Sequence, residues 1–243
     1  MRSMMDKVKP VVLVRGHSGL LDVMERYVAD VASSGTALVV MGSMQITSSV
    51  FDSVAGSVTL ALIRRMAGLP VVVVTQNGRN SPGPFTKGLR VMLHVEPHAR
   101  PLLGLVCEQL LAGRARADQL LLAQVANVHN LTRKQIANNR RLFDNFQNLA
   151  IAYQCPAVRN YSLDGNVDEA LVSASEEYGI GLMGVQLPPG SRGVPPHLVP
   201  LLRSCRGGVL VFQEATAGDK SAIATQFQKA PVVPPGDEEG TSA

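Results

Sequence analysis

One stretch, residues 37–75, limits the fold more than any other part of the sequence. It reads ALVVMGSMQITSSVFDSVAGSVTLALIRRMAGLPVVVVT. Two short apolar runs, Ala37–Met41 and Val71–Val74, are typical of parallel strands buried on both faces. Between them, apolar residues recur at four-residue spacing and predict one side of a helix; they are Val50, Val54, Val58 and Leu62. The stretch therefore predicts a strand, a helix and a second strand.

The preceding residues extend this alternation. Pro10–Val14 is a short apolar run that predicts a strand, and Leu20–Ser33 predicts a helix that ends before Gly35. The apolar face of that helix is predicted to consist of Leu20, Met24, Tyr27, Val28 and Val31. Residues 10–75 thus follow a β-α-β-α-β pattern, which is typical of an α/β fold with a Rossmann-like parallel sheet flanked by helices.

The same layout occurs a second time. Residues 181–213 repeat the order of residues 37–76, with an apolar strand ending at Met-Gly, a loop, a helix and a valine-rich strand after glycine. The segments before them, 10–35 and 156–179, also match as a strand and an amphipathic helix that ends in glycine. The sequence therefore predicts two related units, of which the second is complete and the first begins late.

The second unit is predicted to hold five strands and four helices. Residues 78–88 are rich in glycine, proline and polar side chains, which predicts a linker. We expect a first unit at 1–77, the linker at 78–88, a second unit at 89–214 and a flexible or partner-bound tail at 215–243. The predicted elements of the second unit are Leu89–Val95, Leu102–Leu111, Gln119–Val125, Thr132–Gln154, Pro156–Tyr161, Asp168–Tyr178, Ile180–Val185, His197–Ser204 and Val209–Phe212.

Charge and hydropathy exclude two classes of partner. The net charge is +4, but the one compact basic cluster shares a predicted helix with apolar residues and is best explained as a solvated helix face; it consists of Arg133, Lys134, Arg140 and Arg141. No apolar run reaches the roughly 20 residues that a membrane span needs, and no signal peptide precedes the first unit. We expect a cytoplasmic protein that binds neither nucleic acid nor membrane.

The residue types that usually carry catalysis or bind metals do not form a motif. The three cysteines are about fifty residues apart and are expected to be small buried residues; they are Cys107, Cys155 and Cys205. The five histidines are not predicted to form a metal site, and His94 falls inside a predicted strand and is expected in the core. We therefore predict no catalytic residue, no metal and no enzymatic activity.

Three segments carry a resemblance to a known family: Val39–Ser43, Gly56–Val58 and Leu69–Val74. They resemble the fourth strand, the glycine and serine before the last helix, and the last strand of the universal stress protein family. The chain is similar to two such units in tandem. The resemblance implies a sheet order of 3-2-1-4-5 in a complete unit. It also implies that the last strands of the units pair edge to edge, with Val71–Val74 against Val209–Phe212.

The first unit resembles only strands three to five of that family and lacks counterparts of strands one and two. Either the natural chain is longer, or another chain completes the sheet, or Pro10–Val14 takes a central position. The first two explanations are favoured, since the faces of the strand at Ala37–Met41 would otherwise be uncovered.

Members of the family that bind ATP carry a glycine-rich loop, and the resemblance places its counterpart at Gly42, Ser43, Gly56 and Ser57. Gln45 stands where the second glycine of the pattern is expected, and Gly56-Ser57 comes one residue late. The second unit departs further, because Leu187 and His197-Leu198 replace small residues; its loop also contains Pro188, Pro189, Pro195 and Pro196. Glu96-Pro97-His98 stands where nucleotide binders place an aspartate after the first strand.

These departures predict a non-catalytic scaffold or assembly subunit with degenerate nucleotide sites and no bound cofactor. Its expected partners are other protein chains, one of which completes the first sheet. Relatives with several such units include cytoskeletal and ciliary components, so the resemblance also implies that setting. The alternative is an ATP- or AMP-binding module regulated by its ligand through Gly42, Ser43, Gly56 and Ser57.

Overall fold

A computed structural model describes residues 19–32, 38–42, 61–74, 88–111, 118–126, 131–155, 158–190 and 197–216. These residues form one seven-stranded sheet with the order β1-β2-β7-β6-β3-β4-β5. All neighbouring strands are parallel except β2 and β7, which are antiparallel. The predicted α/β class with a parallel sheet flanked by helices is confirmed.

The first half contributes helix α1 (Leu20–Ala32), strand β1 (Val39–Gly42), helical residues 61–65 and strand β2 (Val71–Val74). Both predicted strands and the first predicted helix are confirmed. Pro10–Val14 and most of the apolar stripe between the strands lie outside the described residues.

The predicted inner face of α1 is partly wrong. Tyr27 and Val31 are exposed at 37% and 46%, whereas Ala29 is buried and Leu21, Met24 and Val28 pack on the core. The buried stripe is therefore rotated by about one position. Arg65 binds this helix through its guanidinium, which donates to the carboxylates of Asp22 and Glu25.

The second half holds the predicted five strands and four helices within its described residues. They are β3 (Arg90–His94), α2 (Arg100–Leu105), β4 (Gln119–Val125), α3 (Arg133–Ala152), β5 (Val158–Leu163), α4 (Val167–Glu177), β6 (Leu182–Leu187), α5 (Leu198–Ser204) and β7 (Gly208–Gln213). A π-helical turn, Val106–Leu111, continues α2. Within this half the strand order β5-β4-β3-β6-β7 is the 3-2-1-4-5 order that the resemblance implies.

The start of α3 is specified locally. Thr132 and Gln135 form a capping box in which each side chain accepts a hydrogen bond from the backbone N–H of the other residue. Phe143, Phe146 and Ala150 are buried as predicted, but the prediction that Ile136 faces the core is wrong, since it is 53% exposed. The four residues of the basic cluster on this helix are exposed, as expected of a solvated face.

The sheet separates two apolar clusters. The helices α4 and α5 cover one face, where Leu171, Leu198 and Leu201 are fully buried. The helices α2 and α3 cover the other face, where Leu102 and Phe146 are fully buried. His94 is 5% exposed, which confirms its predicted place in the core.

The two halves meet where β2 pairs with β7. Val71 lies opposite Val211 and Val74 lies opposite Gly208, so the predicted edge-to-edge pairing of these valine-rich strands is confirmed. Gly68 extends the contact, because its N–H donates to the carbonyl oxygen of Gln213 at 2.7 Å.

The packing around Gly207 leaves no room for a side chain. A Cβ atom at this position would lie 2.3 Å from the carbonyl oxygen of Gly181 and 2.8 Å from that of Ile180. The loops that precede β6 and β7 therefore approach each other backbone to backbone, and Gly208 N–H donates to the same Gly181 oxygen at 3.0 Å.

The unit boundaries stay a prediction. The predicted linker 78–88 is described only at Gly88, and the predicted tail only at residues 215 and 216. None of the described helices combines the length and the hydropathy needed to cross a bilayer.

Candidate functional site

The carboxyl ends of β3 and β6 form a point where the chain changes direction. The connection that leaves β3 passes through α2 on one face of the sheet, and the connection that leaves β6 passes through α5 on the other face. In open α/β sheets, the crevice between two such strands is the usual ligand site. The architecture therefore directs attention to the residues at these two strand ends.

Five polar residues, here called the switch-point cluster, gather there: His94, Glu96, His98, Gln186 and His197. The Oε2 atom of Glu96 lies 3.6 Å from Nδ1 of His94 and 3.6 Å from Nε2 of His98. The rings of His94 and His197 meet edge to face, with their centroids 6.1 Å apart. Three histidines and one carboxylate thus share a small volume at the end of the central strands.

The tautomer of His98 follows from its partner. Its Nε2 atom lies 3.0 Å from the backbone oxygen of Gln186. A carbonyl oxygen can only accept a hydrogen bond, so Nε2 of His98 carries the hydrogen. The side chain of Gln186 points to α2, where its Oε1 accepts from the backbone N–H of Leu102 at 2.9 Å.

His94 is neutral at physiological pH. Its pKa is lowered to about 4, first because burial disfavours the charged imidazole and further because of the charges on His197 and His98. A neutral imidazole has one nitrogen that donates and one that accepts, so His94 can serve as a hydrogen-bonding group without carrying charge.

Three buried atoms of the cluster have no hydrogen-bond partner among the described residues. They are Nδ1 of His94, Nε2 of Gln186 and Nε2 of His197. Buried polar atoms are normally paired, and such exceptions mark sites where a water molecule or another group completes the bonding. The cluster therefore offers three buried polar atoms to a water molecule or another small group, and its five side chains include no hydroxyl or thiol nucleophile.

The cluster does not form a metal centre. Within the part of the chain that the structure describes, no three His, Cys, Asp or Glu side chains come together in a metal-ligating group.

The residues predicted for a phosphate loop are only partly placed. Gly42 ends β1 and lies opposite Val74 of β2. Ser43, Gly56 and Ser57 lie outside the described residues, so the predicted site is not assembled in the described structure.

The matching positions of the second half fill the core instead. Leu187 is 1% exposed and Leu198 is fully buried, and both belong to the cluster on the α4 and α5 face. A glycine of the ATP-binding pattern leaves room for phosphate oxygens, whereas these side chains occupy their space with apolar atoms. Gly184 packs on α2, with its hypothetical Cβ 3.5 Å from Leu102.

Sequence reasoning found the parts of the switch-point cluster but not their convergence. It noted Glu96-Pro97-His98 after the first strand of the second half and placed His197 at the start of a predicted helix. His94 and His197 are about 100 residues apart, so no local spacing pattern connects them. The available signal was topological, because His94 ends β3, His197 lies in the connection after β6, and the 3-2-1-4-5 order places these two strands side by side.

Comparison with known proteins identifies the fold. No family model matches the sequence, and no curated protein matches it either. A functionally unknown protein from Pseudomonas aeruginosa PAO1 is 16% identical with a TM-score of 0.56, over 87% of this chain and 72% of that chain. A universal stress protein from Archaeoglobus fulgidus DSM 4304 is 14% identical with a TM-score of 0.55, over 78% of this chain and 66% of that chain.

A third structure agrees with these two. A putative universal stress protein from Pseudomonas aeruginosa UCBPP-PA14 is 14% identical with a TM-score of 0.54, over 87% of this chain and 72% of that chain. Identities this low establish fold and nothing finer. Together with the 3-2-1-4-5 order of its second half, they show that this chain has the fold of the universal stress proteins.

Proposed function

We propose that this chain is a non-catalytic scaffold or assembly subunit, built of two universal stress protein-like units in tandem, whose first half binds another protein chain. The observation that carries the proposal is the outer edge of β1, which pairs with no strand among the described residues. A cytoskeletal or ciliary setting remains a prediction from the resemblance alone.

The edge of β1 combines unpaired backbone groups with apolar side chains. Among the described residues, β1 pairs with β2 and with no other strand. Val40 of this strand is 61% exposed, and Leu38 just before it is 41% exposed. An apolar edge strand with free N–H and C=O groups is a template for pairing with another chain.

Exposed apolar side chains concentrate in the same half. Of the seven large hydrophobic side chains that are exposed in the described structure, five belong to α1, β1, β2 or the residue before β1. They are Tyr27, Val31, Leu38, Val40 and Val74. The other two, Ile136 and Ile151, lie about four turns apart along α3 and form no continuous patch.

The resemblance defines what the partner supplies. In the 3-2-1-4-5 order, the fourth strand lies between the first and the fifth. β1 corresponds to the fourth strand and β2 to the fifth, so the free edge of β1 is the place of a parallel first strand. The proposed partner therefore contributes a parallel strand to β1, together with apolar residues that cover Val40.

The second half supports the non-catalytic part of the proposal. Leu187 and Leu198 occupy positions where an ATP loop needs small residues, and both side chains are buried. Pro188 and the other prolines of that loop lack an amide hydrogen for a phosphate.

Sedimentation velocity of the full chain over a range of concentrations tests the proposal. Without its partner, the apolar edge of β1 should drive self-association, and Val40→Lys should return the chain to a monomer. Ile151→Lys is the matched control, since Ile151 is 60% exposed but lies on α3. A compact wild-type monomer at all concentrations, or equal effects of the two substitutions, would contradict an interface at β1.

The competing hypothesis is ATP or AMP binding at Gly42, Ser43, Gly56 and Ser57. Titration calorimetry with ATP and magnesium separates the two. The scaffold proposal expects no heat of binding at micromolar nucleotide. Low-micromolar affinity that is lost in Gly56→Val would favour a ligand-regulated module.

A further inference from the structure

Two helices approach each other closely where α2 meets the end of α3. A Cβ atom on Gly104 would lie 3.1 Å from the hydroxyl oxygen of Tyr153, so only glycine fits there without displacing the tyrosine. Cys107 follows Gly104 by three residues and therefore lies on the same side of the helix, one turn further on. The close approach at Gly104 brings Cys107 to the end of α3.

The chain turns back after α3 and carries Cys155 toward α2. Gln154 adopts a left-handed conformation with φ of 54°, which is uncommon for a residue other than glycine. The backbone N–H of Cys155 then donates to the oxygen of Ala150 at 2.9 Å, and this bond fixes the reversed direction. Cys155 consequently packs on the same apolar cluster that contains Cys107.

The two thiols are hydrogen-bonded to each other but differ in access to solvent. Cys107 is fully buried and Cys155 is half-buried. The hydrogen bond lowers the pKa of Cys155, although burial opposes the shift. The same bond, followed by burial, raises the pKa of Cys107. The accessible sulfur is therefore the better nucleophile, and the buried sulfur keeps its proton.

We propose that Cys155 and Cys107 are a redox-active pair that forms a reversible intramolecular disulfide when the protein is exposed to hydrogen peroxide. Cys155 is the sulfur that reacts with peroxide, and Cys107 is the sulfur that resolves the product. Peroxide is the oxidant, and a cellular dithiol is the reductant that restores the thiols. The assignment is independent of the proposed interface at β1.

The reaction proceeds in two steps. The thiolate of Cys155 attacks one peroxide oxygen, the O–O bond breaks, and the departing hydroxide takes up a proton to become water. The product is a sulfenic acid on Cys155. The sulfur of Cys107 then gives up its proton and attacks the sulfur of Cys155, so that an S–S bond forms while the S–O bond breaks. The leaving hydroxide combines with that proton, and overall two thiols and one peroxide yield one disulfide and two waters.

Mass spectrometry of the full chain after treatment with equimolar peroxide tests the proposal. Digestion without reductant should yield one cross-linked peptide pair that joins Cys107 to Cys155 and is lighter by two hydrogen atoms than the separate peptides. Reduction should restore both peptides. A link to Cys205, links between chains only, or no link at all would overturn the assignment.

Variants separate the roles of the two sulfurs. Cys107→Ser should leave the sulfenic acid on Cys155, where dimedone traps it, whereas Cys155→Ser should abolish oxidation at Cys107. Cys205→Ser is the matched control, since Cys205 is buried elsewhere and its pKa is raised to about 12 by burial. It should leave the yield of the 107–155 link unchanged. A sulfenic acid that persists on Cys155 in the wild-type chain would overturn the resolving role of Cys107.

Alkylation of the unmodified chain provides a readout that needs no substitution. Iodoacetamide should modify Cys155 before Cys107 and Cys205. The rate for Cys155 should reach half its maximum at a pH below the ordinary 9.0 of a thiol. Equal rates for all three cysteines would contradict the assignment of Cys155 as the reacting sulfur.

Discussion

The strand pairs β1–β2 and β6–β7 have the same local design and different surroundings. In each pair an apolar strand that carries Met-Gly lies parallel to a valine-rich strand. Every residue of β6 and β7 is buried, whereas Val40 of β1 is 61% exposed and Val74 of β2 is 42% exposed. The difference shows that a hydrophobic pattern determines where a strand forms, whereas the elements packed beside the strand determine how much of it is buried.

The largest expected effect concerns the buried strand pair β6–β7. Gly207→Ala places a Cβ atom 2.3 Å from a backbone oxygen, and neither backbone can move without disturbing β6 or β7. We expect a loss of more than about 3 kcal/mol in the free energy of unfolding, measured by urea denaturation. Gly184→Ala is the control in the same half, since its nearest contacts are 3.5 Å and longer; it should cost less than about 1 kcal/mol. Equal losses would mean that the loop approach at Gly181 is not tight.

Lowering the pH should reduce the free energy of unfolding because His94, at the end of β3, is buried in its neutral form. The folded-state pKa of about 4 lies below the ordinary 6.5, so between these values the unfolded chain binds more protons than the folded chain. Stability is therefore fully present above pH 6.5 and falls as the pH is lowered toward 4, by up to about 3 kcal/mol. The free energy of unfolding, measured by chemical denaturation across this range, should depend less on pH in His94→Gln than in the wild type. Parallel pH profiles for wild type and variant would show that another group causes the pH dependence.

The smallest effect compares one valine from each pair. Val211 of β7 is 1% exposed and Val40 of β1 is 61% exposed. Val211→Ala should cost about 2 kcal/mol because it removes buried methyl groups, and Val40→Ala should cost less than about 0.5 kcal/mol. Chemical denaturation of both variants at low protein concentration measures the difference. A similar cost at both positions would show that β1 is covered in solution, which would weaken the proposed interface.

Much of the architecture was predictable because it depends on local patterns. Val71–Val74 and Gln119–Val125 have the predicted bounds, since continuous apolar runs mark strands covered on both faces. The pairing of β2 with β7 followed from the resemblance rather than from either strand alone, and its antiparallel direction is shown by the structure. The predicted helix Thr132–Gln154 begins at the residue that caps α3, where Thr132 and Gln135 form a capping box.

The errors arose where burial depends on distant parts of the chain. α3 is about 30 Å long, whereas β4 beneath it spans about 23 Å, so the first turns of the helix extend past the sheet and expose Ile136. Periodicity finds the apolar stripe but not the length of the surface that covers it. The same limit applies to Tyr27 and Val31 on α1.

The candidate site was harder to predict than the fold. The three histidines of the switch-point cluster come from two connections, and the thiol pair depends on a π-helical turn and on a left-handed Gln154. Each of these arrangements results from tertiary packing between residues that are far apart in sequence. Spacing motifs report only on residues that one element holds together.

Because β2 and β7 are antiparallel, the strands of the two halves run in opposite directions. The carboxyl ends of β1 and β2 lie at one end of the strands, where Gly42 is the last residue of β1. The carboxyl ends of β3 and β6 lie at the opposite end, where His94 and His197 are in contact. Whatever binds beyond Gly42 and whatever binds at the histidines therefore approach from opposite directions. Groups at these two ends of the sheet therefore do not compete for the same space.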